Sequence, residues 1–297
     1  MFFRRLYEKC QLIEVVMKKF VFFVVCFCLV LGGCANLQGE SKIVEEKRVY
    51  KTVGDVRLNL HIFCPEESAK KPRAAIVFFF GGGWVGGTPE HFYPQSKYLV
   101  SRGMVAICAE YRVKKRDGTT PIECVKDGKS AVRWIRSHAE QLGIDPNKIA
   151  AGGGSAGGHV AACTAIVLGV EEEGEDLKIS SVPNALVLFN PVVDTSRRWA
   201  KRIGERWKEI SPVDHVRKGI CPTIILHGTE DKVVPVEDVR RLRDNMEACG
   251  NICTLIEYEG MGHGFFNPGR HENIPYERTV QAMDGFLTER GYIKKRR

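Results

Sequence analysis

The sequence predicts an α/β domain with a mostly parallel sheet and helices on both faces. Three observations carry this. Short apolar runs of strand length alternate along the chain with stretches of helix length. Residues 74–80 form one unbroken apolar run, as a central strand covered on both faces requires. Residues 148–151 run into the glycines at 152–158, and these open into the small apolar stretch 160–168, which reads as strand, tight turn and buried helix.

The chain has 297 residues, room for one such domain plus a leader, and its 44% apolar content can fill a sizeable core. The formal charge of +8 sits largely at the ends. Residues 1–33 hold five basic and two acidic groups, and Lys294, Lys295, Arg296 and Arg297 supply four more positive charges. The body is therefore near neutral and carries no nucleic-acid footprint. Among 11 cysteines there is no C-x-x-C and no zinc-site spacing, so no metal is expected. Cys108, Cys163 and Cys221 read as buried small hydrophobes. Cys249 and Cys253 could pair in an oxidising compartment, and the sequence leaves that open.

In chain order, residues 1–16 fit no element, and Met17 is a candidate start. Lys18 and Lys19 precede the twelve-residue apolar run 20–31, and Gly32-Gly33-Cys34 follows. The run is too short to span a bilayer and suits an export signal. Residues 34–46 are polar and read as a tether, with the folded domain over 47–297. Residues 47–52 and 56–63 flank Gly54-Asp55, a hairpin signal. Residues 91–102 read as a helix and 104–109 as a buried strand. Residues 121–142 read as an amphipathic helix with Val125, Ala131, Trp134 and Ile135 on its apolar side, stopped by Gly143. Strands over 185–189, 223–226 and 254–258 follow, with helices over 236–248 and 280–290.

Gly153-Gly154-Ser155-Ala156-Gly157 reads G-x-S-x-G, a nucleophile elbow that presents a serine hydroxyl at a helix N-terminus. Gly152, Gly154 and Gly157 also fit G-x-G-x-x-G, as do Gly81, Gly83 and Gly86. A dinucleotide turn needs an acid closing the next strand, and a polar loop over 171–176 stands there instead. A serine elbow demands an acid and then a histidine on later loops. Asp231 follows the 223–226 run, and His263, between Gly262 and Gly264, follows the 254–258 run. In this reading Ser155 is the nucleophile, His263 its base and Asp231 the group orienting His263. Backbone N–H groups of Ala156 and of Gly82 or Gly83 would form the oxyanion hole.

Taken together, Gly81-Gly82-Gly83-Trp84, Glu110-Tyr111-Arg112, Asp145-Pro146, the Ser155 elbow, Asn190-Pro191 and the Asp231 and His263 loops resemble the α/β-hydrolase superfamily. The resemblance is to its bacterial esterase/lipase branch, hormone-sensitive-lipase-like or acetyl- or feruloyl-esterase-like, and it covers about residues 50–292. It implies an α/β-hydrolase fold with an N-terminal antiparallel hairpin, and an exported serine ester hydrolase needing no cofactor. One departure stands out: Phe80 occupies the first position of the usual His-Gly-Gly-Gly, whose histidine braces the loop in such proteins. Leu31-Gly32-Gly33-Cys34 resembles a bacterial lipobox, which implies lipidation of Cys34 and an envelope-anchored protein. Trp84 and Tyr93 are expected to line the substrate pocket. The usual lid positions, residues 40–49 and 196–218, are charged, with Trp199 and Trp207 in the second. A short polar cover favours small or carbohydrate-linked acyl esters over long-chain lipids. A prolyl-oligopeptidase-like peptidase and a non-catalytic envelope binding protein are the alternatives.

Overall fold

The computed structural model describes residues 42–67, 69, 71–196 and 199–296. The apolar run 20–31, Cys34 and most of the expected 34–46 tether lie outside the described residues. The described residues fall within one compact unit, Ser41–Arg297.

Eight strands form one sheet in the order β1-β2-β4-β3-β5-β6-β7-β8. They are β1 (Ile43–Val53), β2 (Val56–Pro65), β3 (Arg73–Phe79), β4 (Val105–Ala109), β5 (Ile144–Gly154), β6 (Ala185–Phe189), β7 (Thr223–Gly228) and β8 (Cys253–Tyr258). β1 and β2 form the antiparallel hairpin, turning at Gly54-Asp55, and β2 pairs antiparallel with β4. The remaining pairings are parallel. β3, β4 and β6 are almost wholly buried, which their unbroken apolar runs require.

The five longer helices are α1 (Tyr93–Ser101), α2 (Pro121–Ser137), α3 (Ala156–Ile166), α4 (Val236–Ala248) and α5 (Ile274–Glu289). α2 starts at a capping box: Thr120 and Glu123 satisfy each other's end of the first turn, and Pro121 sits where no N–H is needed. α3 is buried along its whole length, so its small residues let it pack closely under the sheet. Two apolar clusters fill the domain. One includes Val77, Phe79, Val160 and Leu188. The other includes Ile76, Phe78, Phe189 and Phe266. Alternate β3 residues thus feed opposite faces.

Three expectations change here. β1 begins at Ile43, so residues 43–46 are paired strand rather than tether, and the charged 43–49 stretch is a sheet edge rather than a lid. Charge on an edge strand deters pairing with other chains. α2 ends at Ser137 rather than near Gly143, where the His138 ring donates to the Trp134 carbonyl (2.9 Å) and stacks on its indole. Finally, the polar loop at 171–176 is strapped to α2. Glu171 pairs with Lys129 and Arg133 (2.8 Å each), and Glu172 pairs with Lys51 (2.8 Å) and Arg112 (2.5 Å). Asp127, fully buried, takes Lys51 and Arg112 from the same side. Cys249 and Cys253 are both free thiols.

Candidate active site

Ser155 lies between β5 and α3 with φ 55° and ψ −119°, a conformation L-residues avoid. Its N–H donates to the Phe189 carbonyl of β6 (3.0 Å), and its carbonyl accepts from His159 and Val192. The turn is therefore fixed from both neighbours. The elbow glycine at 157 has a steric cause: a Cβ there would stand 2.0 Å from the Phe79 carbonyl oxygen. No side chain fits where α3 crosses the end of β3.

Three loops at the carboxyl ends of parallel strands bring the expected trio together. The Ser155 hydroxyl donates to His263 Nε2 (2.9 Å), and His263 Nδ1–H donates to Asp231 Oδ2 (2.7 Å). The other Asp231 oxygen accepts the N–H groups of Val233 (2.8 Å) and Val234 (2.9 Å). Burial alone would raise the Asp231 pKa, but these bonds win and hold it below the ordinary carboxylate range. Glu230, its neighbour, is exposed. Next to the trio, Asn190 Oδ1 accepts the Gly264 N–H (3.0 Å) and steadies the histidine loop.

A cavity of about 430 Å³ opens on Ser155. Gly82 and Gly83 line one side, and His263, Phe266 and Asn267 the other. Among the described residues, no hydrogen bond occupies the N–H of Gly82, Gly83 or Ala156. These are the three groups expected as oxyanion donors. Trp199 and Arg202 reach the rim from the 196–218 segment. Arg202 donates to the Gly83 carbonyl (2.8 Å) and lies over the Trp199 ring.

The two expected substrate contacts are elsewhere. Trp84 is 1% exposed and sits beneath the rim, its indole N–H donating to His159 Nδ1 (3.3 Å) and its ring edge-on to Trp199. Tyr93 packs edge-on against Phe63, and its hydroxyl meets His61 Nδ1 (2.5 Å) on the far side of α1's first turn. Both are aromatic residues drawn into packing, as large rings usually are. Trp207 packs with Ile122 and Ile203 rather than at the cavity. The sequence reading gave no individual role to His91, Asn190, Asn267 or Arg202. His91 stood among eight histidines with no motif around it, Asn190 entered only with Pro191 as part of the family resemblance, Arg202 only as charge in the 196–218 segment, and Asn267 carried no positional signal.

Comparison with known proteins places the fold among esterases. Residues 60–198 match the BD-FAE family model, and residues 188–287 match the dienelactone hydrolase family model. The apo form of Thermogutta terrifontis esterase 2 superposes with a TM-score of 0.83 at 48% identity, covering 85% of this chain and 97% of that one. The chain belongs to the α/β-hydrolase esterases. That neighbouring esterase is also known with propionate bound, with butyrate bound and phosphonylated by sarin. Two further relatives are esterase LipC of Mycobacterium tuberculosis and an acetylxylan esterase of Xylanibacter ruminicola. LipC is 27% identical over 69% of this chain and 56% of its own. The acetylxylan esterase is 27% identical over 71% of this chain and 44% of its own. The chain thus spans about half the length of these two curated relatives.

Proposed function

We propose that the chain hydrolyses short-chain carboxylic esters through a Ser155 acyl-enzyme. The carrying observation is the continuous Ser155–His263–Asp231 hydrogen-bond line at the mouth of the cavity. His263 Nε2 takes the Ser155 proton as Oγ bonds to the ester carbonyl carbon. The oxyanion forms among the N–H groups of Ala156 and of Gly82 or Gly83. As the tetrahedral adduct collapses, His263 gives the proton to the leaving alcohol. Water then repeats the sequence on the acyl-enzyme and releases the acid.

A fluorophosphonate probe should label Ser155, and Ser155→Ala should lose both label and turnover. Wild-type activity in Ser155→Ala would overturn the reading, whereas no ester hydrolysis by the wild-type chain would favour the binding-protein alternative. Small acyl groups are favoured because the cavity is modest and open, with charged Arg202 and Arg270 at its edge. The propionate and butyrate bound to the neighbouring esterase support the same size class. A carbohydrate as the alcohol is supported by Trp199 at the polar rim and by the acetylxylan esterase relative. kcat/KM should peak at acetyl to butyryl, or at an aromatic acyl group such as feruloyl. It should fall beyond about six carbons, since a shallow site cannot collect the ~0.8 kcal/mol per added CH₂. No gain on acetylated oligosaccharides over an aryl acetate would refute the carbohydrate part. Export and lipid anchoring at Cys34 are proposed on the sequence alone. Mass spectrometry of the mature N-terminal peptide should find Cys34 acylated, and a retained leader would refute it.

A further inference from the structure

Phe80 leaves the glycine loop without the histidine that its motif usually starts with, yet the loop is clamped. The peptide between Phe80 and Gly81 is held at both ends. Its carbonyl accepts the Tyr111 hydroxyl (2.6 Å), and its N–H donates to His91 Nδ1 (2.9 Å). The Phe80 ring is stacked on Tyr111 and packs against the loop at Gly87, with no polar atom to offer the turn. Because Nδ1 accepts, the His91 proton sits on Nε2, which donates to Asn267 Oδ1 (2.7 Å). Asn267 Nδ2 then donates to the Gly264 carbonyl (2.9 Å), one residue from His263. The bonds run without a break from the loop bearing Gly82 and Gly83 to the loop bearing His263.

We propose that His91 is a positioning residue that braces the oxyanion loop and, through Asn267, fixes its distance from the His263 loop. The inference rests on Ser155 as nucleophile and on the glycine loop as oxyanion donor. Its chemistry requires a neutral ring. A protonated imidazole carries N–H at both nitrogens, so Nδ1 could no longer accept from Gly81 and the two N–H groups would oppose each other. Burial pushes the His91 pKa down, against the bond to Asn267, which acts upward. The groups around it favour the neutral form too. Arg202 stands across the cavity, and His263 and Arg270 lie on the neighbouring loop. The nearby carboxylate, Glu90 on its own turn, is engaged by Thr88.

The test uses the purified full chain with a short aryl ester, the fluorophosphonate probe and a series of pH values. His91→Gln keeps one acceptor and one donor on a single amide and should retain kcat within about threefold at neutral pH. His91→Ala and Asn267→Ala should each lower kcat by about ten- to a hundredfold, less than outright loss of an oxyanion donor, with KM little changed. At the acid end, wild-type kcat should fall more steeply than that of His91→Gln, because protonating His91 removes the acceptor that holds the Gly81 N–H, while the amide has no such proton to gain. Equal losses in His91→Gln and His91→Ala, or the same acid limb in wild type and His91→Gln, would overturn the brace. If His91→Ala does not fold, Asn267→Ala and the two acid limbs still decide. Retained turnover in Ser155→Ala would instead bring down the reading beneath it.

Discussion

Asp231 divides its two carboxylate oxygens between different tasks. Oδ1 is held by two backbone N–H groups, and Oδ2 faces His263. The first pair fixes the carboxylate plane, so the second can fix the imidazole tautomer with its proton on Nδ1. Asp231→Asn should keep the loop, since the amide oxygen can still accept from Val233 and Val234. It should nonetheless lower kcat by about a thousandfold or more, because the remaining amide N–H favours the wrong histidine tautomer. Glu230 meets the histidine loop only through its backbone N–H, which donates to the Met261 carbonyl (3.0 Å), so exchanging its exposed side chain in Glu230→Gln should leave steady-state kinetics within about twofold, as surface changes usually do. Equal losses in the two variants would show that charge near the loop, and not the Asp231 bond, is what matters. At this scale the hydrogen-bonded trio was legible because the chemistry proposed for it fixes residue type, chain order and place after a strand. His91 and Asn267 were not legible. Each does its work through a partner some 10 to 176 residues distant in sequence, which no local pattern encodes.

Among the elements, α2 packs against α3 at Gly128. A Cβ there would lie 2.4 Å from Val160 Cγ1, inside the buried contact between the two helices. Glycine in a helix interior costs about 1 kcal/mol in propensity, so its presence here is a packing choice. Gly128→Ala should therefore destabilise the domain by about 1–3 kcal/mol despite alanine's better propensity, through overpacking. Adding Val160→Ala should recover part of that loss in a denaturant titration, and strict additivity would refute the contact as the cause. The alternation of strands and helices was readable because burial on both faces leaves unbroken apolar runs. Boundaries were harder. The start of β1 is a charged edge strand with no apolar signature, and the end of α2 is set by His138, a side-chain competitor that periodicity does not register. The strap at 171–176 read only as a polar loop, because its partners on β1 and α2 lie far away in sequence.

At the scale of the whole molecule, buried titratable groups tie the two sides of the sheet to pH. His159 is fully buried under the active-site turn, accepting from Trp84 and donating to the Ile210 carbonyl (2.7 Å). Burial pushes its pKa down from 6.5 to about 4, against the Ile210 bond. Between those values the unfolded chain holds a proton that the folded chain does not, so stability falls as pH drops through the window. Glu110 and Glu172 act lower down. Burial would raise both, but His61 and Asn59 hold Glu110 at about 2, and Lys51 and Arg112 hold Glu172 at about 2. Their unfolded value is 4.5, so their contribution is complete above that pH and is lost as pH falls toward 2. The melting temperature should thus decline in two overlapping stages on acidification, first from His159 together with His91, whose pKa burial also lowers, and then from the carboxylates. His159→Gln, which can keep one acceptor and one donor, should reduce the first stage and leave the lower one intact. Glu172→Gln should do the reverse, at the cost of a lower melting temperature at neutral pH, since Lys51 and Arg112 lose a counter-charge. A wild-type melting temperature that holds constant from pH 7 to 4.5 would refute a neutral buried His159, because burial lowers the pKa of both His159 and His91 and each adds a loss of the same sign on acidification.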